Sequence, residues 1–173
     1  MDTVDTINKG FEITDTYGSK CNSLLLLFYG FALPNNEFNT INIHCIGNRP
    51  VDGKELEIKG CLTKDIDSDF TLKFFTFLRE LNYKGDKSDC VDYTRLVSTE
   101  NELEMLQSLL DYICGMKNKY LFTRSKIQKL INGKLYTGPE YMALTIIKGE
   151  LDILHLYYEF AKQGLKPNGI NNI

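Results

Sequence analysis

No basic excess, no long apolar run and no paired cysteines mark this chain. Its 173 residues carry a formal charge of −3, so the positive field that holds a nucleic-acid backbone is missing. No stretch approaches the ~20 consecutive apolar residues that span a bilayer. The leucine block at residues 24–28 is short for the core of a secretory signal. It follows Asp2, Asp5, Glu12 and Asp15, with no basic segment or small-residue cleavage site around it. Five cysteines (Cys21, Cys45, Cys61, Cys90 and Cys114) form no C-x-x-C pair, and the two histidines, His44 and His155, stand far apart. This argues against a disulfide framework and a zinc site, and for reduced, mostly buried thiols. The expectation is an intracellular chain, cytoplasmic or nuclear, with neither membrane nor nucleic acid as partner.

A cluster of turn formers at residues 47–53, with Gly47, Pro50 and Gly53, divides the chain into residues 1–50 and 51–173. Before it, strands are expected at residues 11–14 and 40–46, with a short apolar helix at 22–29 between them. Ile41, Ile43 and Cys45 alternate with Asn42 and His44, the period of a half-buried strand. Weaker extended signals lie at residues 55–58 and 91–97. The rest reads as helical. One helix starts at Asp67 or Ser68 and buries Phe70, Phe74, Phe77, Leu78 and Leu81. A second opens on a Thr99–Glu102 capping box and lines one face with Leu103, Leu106, Leu110 and Ile113. A third covers residues 125–131. The longest is announced by Thr137-Gly138-Pro139-Glu140 and closed by Gly164, with a stripe of Leu144, Ile147, Leu151, Leu154 and Tyr158. The fold class is therefore mainly α, a helical domain preceded by a small β/α unit.

Two apparent motifs fail on their chemistry. Asp65, Asp67 and Asp69 match the opening of a calcium loop, but Phe70 stands where that loop needs a glycine and Thr76 where it needs a bidentate glutamate. These acids suit a helix start, near the positive end of its dipole. His155 sits among apolar residues of the long helix with no second ligand at useful spacing, as a structural histidine would.

The order of residues in "KGFEITDTYGSKCNSLLLLFYGF", residues 9–31, is more particular. It resembles the last signature block of SET-domain methyltransferases of the Rubisco large-subunit methyltransferase type. In that block a Gly-Glu-Glu-Ile strand leads into Tyr-Gly, Ser-Asn and Leu-Leu-x-Tyr-Gly-Phe. The later "EYMALTIIKGELDIL" is similar to a helix of that family's C-terminal substrate-binding domain. The resemblance implies that residues 1–50 are the end of a SET domain and 51–173 a helical substrate-binding domain. It also implies S-adenosylmethionine as methyl donor and, as partner, a protein substrate offering a target lysine, or a histidine as in related proteins. By the same resemblance Tyr17 is the active-site tyrosine facing the methyl and the incoming nitrogen. Tyr29 and Phe31 pack around the cofactor, and Ser19 and Asn22 position the turn between them.

Methyl transfer is an in-line displacement, so a narrow, water-free channel must align nitrogen, methyl and sulfur. The family builds that channel partly from a glycine-rich loop and an Asn-His pair that do not occur before Lys9 here, and Phe11 replaces the first acid of the strand motif. The chain alone is therefore expected to be inactive. In-frame sequence with an Asn-His pair is expected upstream of Met1. An apolar edge on Ile13, Leu25 and Ile43 would then be left uncovered and promote self-association. A non-catalytic protein-interaction module derived from a SET protein, and a structural helical domain unrelated to methyl transfer, are the alternatives.

Overall fold

The computed structural model describes residues 9–10, 16–86, 88–134, 136–167 and 169. The strand expected at residues 11–14 lies outside them. Among the described residues the chain is mainly α, with five helices and one two-stranded sheet. The order is α1 (Asn22–Tyr29), β1 (Ile41–Asn48), β2 (Glu55–Leu62), α2 (Asp69–Leu81), α3 (Thr99–Lys117), α4 (Arg124–Asn132) and α5 (Gly138–Gly164).

The turn formers at residues 47–53 close a hairpin. β1 and β2 pair antiparallel along their whole length, from Ile41 opposite Leu62 to Asn48 opposite Glu55. Arg49 holds the turn, with Nε donating to Asp52 Oδ1 at 3.0 Å and Nη1 reaching Glu80 of α2 at 3.4 Å. The division expected between residues 50 and 51 runs through this hairpin, and Ile41 and Ile43 share one core with the helices. The alternation in β1 is the one its sequence predicts, with Ile41 and Ile43 buried and Asn42 and His44 exposed. Residues 91–97 form no strand. Asp92 instead accepts from the Thr94 amide at 3.0 Å and bends the chain locally, as short acids do in turns.

α3, α4 and α1 pack on α5, the longest helix described, while α2 contacts both β2 and α3. Fully buried Leu62, Phe74, Leu106, Leu109, Ile113, Ile127, Leu154 and Tyr157 fill the space between them. Burying each large apolar side chain contributes about 1.5–3 kcal/mol. Ser68 caps α2 through the Thr71 amide, as expected. α3 differs from its predicted start and face. Its cap is Ser98, whose hydroxyl accepts from the Asn101 amide at 3.1 Å, and Glu102 does not turn back to Thr99. Glu102 accepts instead from Arg79 Nε and Nη2 of α2, at 2.7 and 2.8 Å. That buried pair rotates α3 so that Met105 and Leu109 join Leu106 and Ile113 in the core while Leu103 turns outward. The acids at residues 65–69 likewise serve a helix start, with Asp65 Oδ1 accepting from the Asp67 amide at 3.0 Å. Among the described residues no His, Cys, Asp and Glu groups gather as a metal site, and no helix is long and apolar enough to cross a membrane.

Candidate functional site

The candidate site is built around α1, a helix of only eight residues that would not hold its shape alone. Gly18 adopts φ +73°, a left-handed turn that glycine takes without strain, and its amide is received by Thr16 Oγ1 at 3.1 Å. Lys20 Nζ donates to the Tyr17 carbonyl at 2.6 Å and closes the loop. Cys21 stands at the N-cap with no side-chain cap of its own. The cap comes from elsewhere in the chain. Asn39 Oδ1 accepts from the Asn22 amide at 3.0 Å. At the other end Gly30, at φ +76°, returns its amide to the Leu26 carbonyl and reverses the chain.

Asn22, 1% exposed, then ties the returning strand of backbone to the helix. Its Nδ2 donates to the Leu33 carbonyl and its Oδ1 accepts from the Leu33 amide, both at 2.9 Å. Asn36 adds bonds from Nδ2 to the Lys20 carbonyl at 2.8 Å and to Asn22 Oδ1 at 3.1 Å, while its own Oδ1 receives the Phe38 amide at 3.0 Å. Asn39 reaches this position by lying flat on α5 at Gly149, where a Cβ would come within 2.2 Å of Asn39 Nδ2. Three buried asparagines thus form one network. Leaving any of these groups unpaired would cost about 1–3 kcal/mol, so the network fixes the loop in one arrangement.

The fixed loop sets three aromatic rings against one another. Tyr17 meets Tyr29 at 4.8 Å between ring centroids and Phe31 at 5.1 Å, both edge to face, and Tyr29 lies 6.3 Å from Phe31. Edge-to-face pairs are each worth about 0.5–1.5 kcal/mol beyond area. The three residues singled out by the sequence therefore come together, and Asn22 positions the turn between them. Ser19, expected beside it, is exposed. At these separations the rings touch, so a cationic ligand would meet their outer faces. Tyr17 is 53% and Tyr29 46% exposed, which leaves those faces open. An open groove of about 510 Å³ runs alongside, walled by Tyr17, Phe31, Leu33 and Phe38 with Lys20 and Glu37 at its polar margin.

Burial raises the pKa of the adjacent Cys21 thiol, but hydrogen bonds from the Ser23 side chain and the first amides of α1 outweigh it and leave the value below the ordinary 9.0. The exposed apolar surface differs from the expected edge. Leu25 and Ile43 are buried, because α1 turns Leu25 toward α5 and Ile43 faces the common core; Ile13 lies outside the described residues. Leu24, Leu27 and Phe28 are exposed instead, continuing the aromatic cluster along α1. His155 is half-exposed on α5, with Nδ1 3.8 Å from Glu159, and takes no part in this site.

Asn36, Asn39 and Gly149 carry much of the geometry and were not singled out from the sequence. Their signal is confined to an asparagine-rich turn, "PNNEFN", whose composition indicates a loop and not its long-range partners. No protein-family model matches this chain, and no curated protein is significantly similar to it.

Proposed function

We propose that this chain is the C-terminal part of an S-adenosylmethionine-dependent protein-lysine methyltransferase, with the residues before the β1–β2 hairpin ending its SET domain and the helices after it binding the protein substrate. The observation that carries this reading is the convergence of Tyr17, Tyr29 and Phe31 on one partly exposed cluster beside a groove. The block that resembles the family's signature is thus also the block whose side chains share one surface.

The described residues supply one wall for the methyl donor. The outer faces of Tyr29 and Phe31 suit an adenine or a sulfonium, and the Tyr17 hydroxyl is open to hydrogen-bond an incoming nitrogen. They do not enclose the donor, since Tyr17, 53% exposed, and Tyr29, 46% exposed, keep those faces open to water. Alignment and exclusion of water both need further walls, so this chain alone is inactive in this reading.

Calorimetric titration of S-adenosylmethionine into residues 1–173 and into an upstream-extended form tests it. Binding by the extended form alone, lost on Tyr29→Ala, supports the proposal. Failure of the extended form to bind refutes it. A second reading, a non-catalytic protein-interaction module, draws on the exposed apolar face of Leu24, Leu27 and Phe28, since such a patch marks an interaction surface with or without chemistry. Partner capture through that face by a form that never binds the methyl donor would favour it.

A further inference from the structure

A second groove, of about 460 Å³, lies where the end of α3, the start of α4 and the middle of α5 meet. That size is ordinary for a ligand-binding cleft, about 300–1,000 Å³. Its floor is Leu151, 2% exposed, and its walls include Tyr120, Phe122 and Leu121. Leu121 is 95% exposed, a bulky apolar side chain held almost wholly in water at the rim. Among the described residues, the charged ones lining it are Lys117 and Arg124, with His155 beside them and no carboxylate in the wall.

The ammonium groups around this groove rest on aromatic faces. Lys117 Nζ lies 4.2 Å and Lys162 Nζ 5.5 Å from the Tyr158 ring centroid, and Lys126 Nζ lies 4.2 Å from that of Phe122. Such contacts hold a cation in place without cancelling its charge. The neighbouring carboxylates are engaged. Asp152 accepts from Arg124 at 2.5 Å and Lys148 at 2.6 Å, Glu150 accepts from Tyr120 Oη at 2.9 Å, and Glu159 lies 3.8 Å from His155. Arg124 is offset by Asp152, and the phenol on Glu150 does not offset a carboxylate charge, so Lys117, Lys126 and Lys162 supply the positive charge around this apolar slot, in a chain of net charge −3.

We propose that this groove docks an acidic peptide segment of a partner protein, with a bulky apolar side chain seated on Leu151 between Tyr120, Leu121 and Phe122 and flanking carboxylates facing Lys117 and Lys126. The apolar contact supplies affinity, and the unneutralised cations steer acidic sequences and reject basic ones. The groove lies in the helical part to which the proposed function assigns the protein substrate, and it would give that role a site, but its test does not depend on methyl transfer, since none of these residues belongs to the aromatic site.

The test is fluorescence anisotropy of the full chain with a labelled peptide in which a Leu-Phe pair is flanked by glutamates. Saturable binding that weakens with added salt is expected, with affinity falling about fivefold or more in both Lys117→Glu and Leu121→Ser. Leu121 is solvated, so its replacement leaves the fold intact, as circular dichroism would verify. The proposal is overturned by absence of saturable binding, by equal affinity for a lysine-flanked peptide, or by binding that neither variant changes. It is also overturned if an Ala-Ala pair serves as well as Leu-Phe while inorganic phosphate displaces the peptide, which would make the groove a small-anion site.

Discussion

Gly149→Ala should destabilise this protein although it adds a better helix former to the middle of a helix. Alanine in place of an interior glycine contributes about 1 kcal/mol through propensity alone. At Gly149, however, the new methyl would lie 2.2 Å from Asn39 Nδ2 and 3.0 Å from Asn39 Cγ, so the amide must move. Its displacement breaks the 3.0 Å bond from the Asn22 amide and leaves a buried donor unpaired, a cost of about 1–3 kcal/mol. Overpacking adds about 1–3 kcal/mol. The net expectation is a loss of about 1–5 kcal/mol in urea unfolding followed by circular dichroism. Asn39→Ala removes the obstruction, because the Asn39 Cβ would stand 3.6 Å from the new methyl, an ordinary contact. In that background Gly149→Ala should become stabilising by about 1 kcal/mol, so the two sites couple by about 2 kcal/mol or more. Gly115 of α3, with open space around its Cβ position, is the control, and its replacement by alanine should stabilise by about 1 kcal/mol. Equal destabilisation by Gly149→Ala in both backgrounds would refute the role assigned to Asn39.

Arg79→Met should cost about 3–5 kcal/mol, because Glu102 would be left as an unpaired, largely buried carboxylate; adding Glu102→Leu should recover most of the loss, and a single-variant cost below about 1 kcal/mol would contradict the clasp between α2 and α3. Asp152 is raised by burial, but the hydrogen bonds and charges of Lys148 and Arg124 prevail and hold it below its ordinary value of 3.8. Its contribution is therefore whole above pH 3.8 and lost as pH falls through the lower folded value. Asp152→Asn should accordingly cost up to about 1 kcal/mol at neutral pH and nothing in strong acid, and a pH-independent difference in unfolding free energy would rule this out. Cys21 should show half-maximal alkylation below pH 9.0, with Ser23→Ala moving the midpoint upward; mass spectrometry of the Cys21 peptide reads both, and a midpoint at or above 9.0 in the parent chain defeats the prediction.

Much of the helical architecture was legible because its signals are local. Ser68 as cap, Pro139 in a first turn, Gly164 at a last turn and the alternation of Ile41 and Ile43 each act within a few residues, where sequence spacing and spatial spacing coincide. α3 illustrates the limit of that reasoning. Leu103 and Met105 are both apolar enough for the core, and periodicity alone does not choose between the faces they occupy. The choice is made by Arg79, more than twenty positions earlier in the chain, whose guanidinium engages Glu102 and fixes the rotation of the helix. A capping box was legible in the same residues for the same reason, and it gave way because pairing a carboxylate with a guanidinium is stronger than returning it to one amide. Residues 47–53 carry a further ambiguity, since proline and glycine punctuate a hairpin and a linker alike and only the pairing of Leu62 with Ile41 tells the two apart.

At the aromatic cluster the sequence carried the rings but not what aligns them. Tyr17, Tyr29 and Phe31 are separated by a helix and a turn, and nothing in their spacing requires them to meet. They meet because Gly30 reverses the chain and Asn22 then holds the Leu33 backbone at two points, a constraint that would be pointless on a freely moving loop. Burying asparagine is unfavourable unless every polar atom is used, and here Asn22 is satisfied by Leu33 and Asn36 while its amide is satisfied by Asn39. Stability alone would favour an apolar packing of that interior, so the polar solution makes sense as a device that fixes position. What it fixes is a surface on which large apolar side chains stay in water, with Leu27 74% and Phe28 65% exposed. A rigid loop that holds rings and leucines in water forgoes their burial, and it would lose little conformational freedom if another surface covered it. Replacing Asn22 with leucine should therefore leave the Leu33 amide and carbonyl unpaired and release the Tyr17–Phe31 contact, at a cost of about 1–3 kcal/mol or more in urea unfolding, and an unfolding free energy left unchanged would refute the positioning role of Asn22.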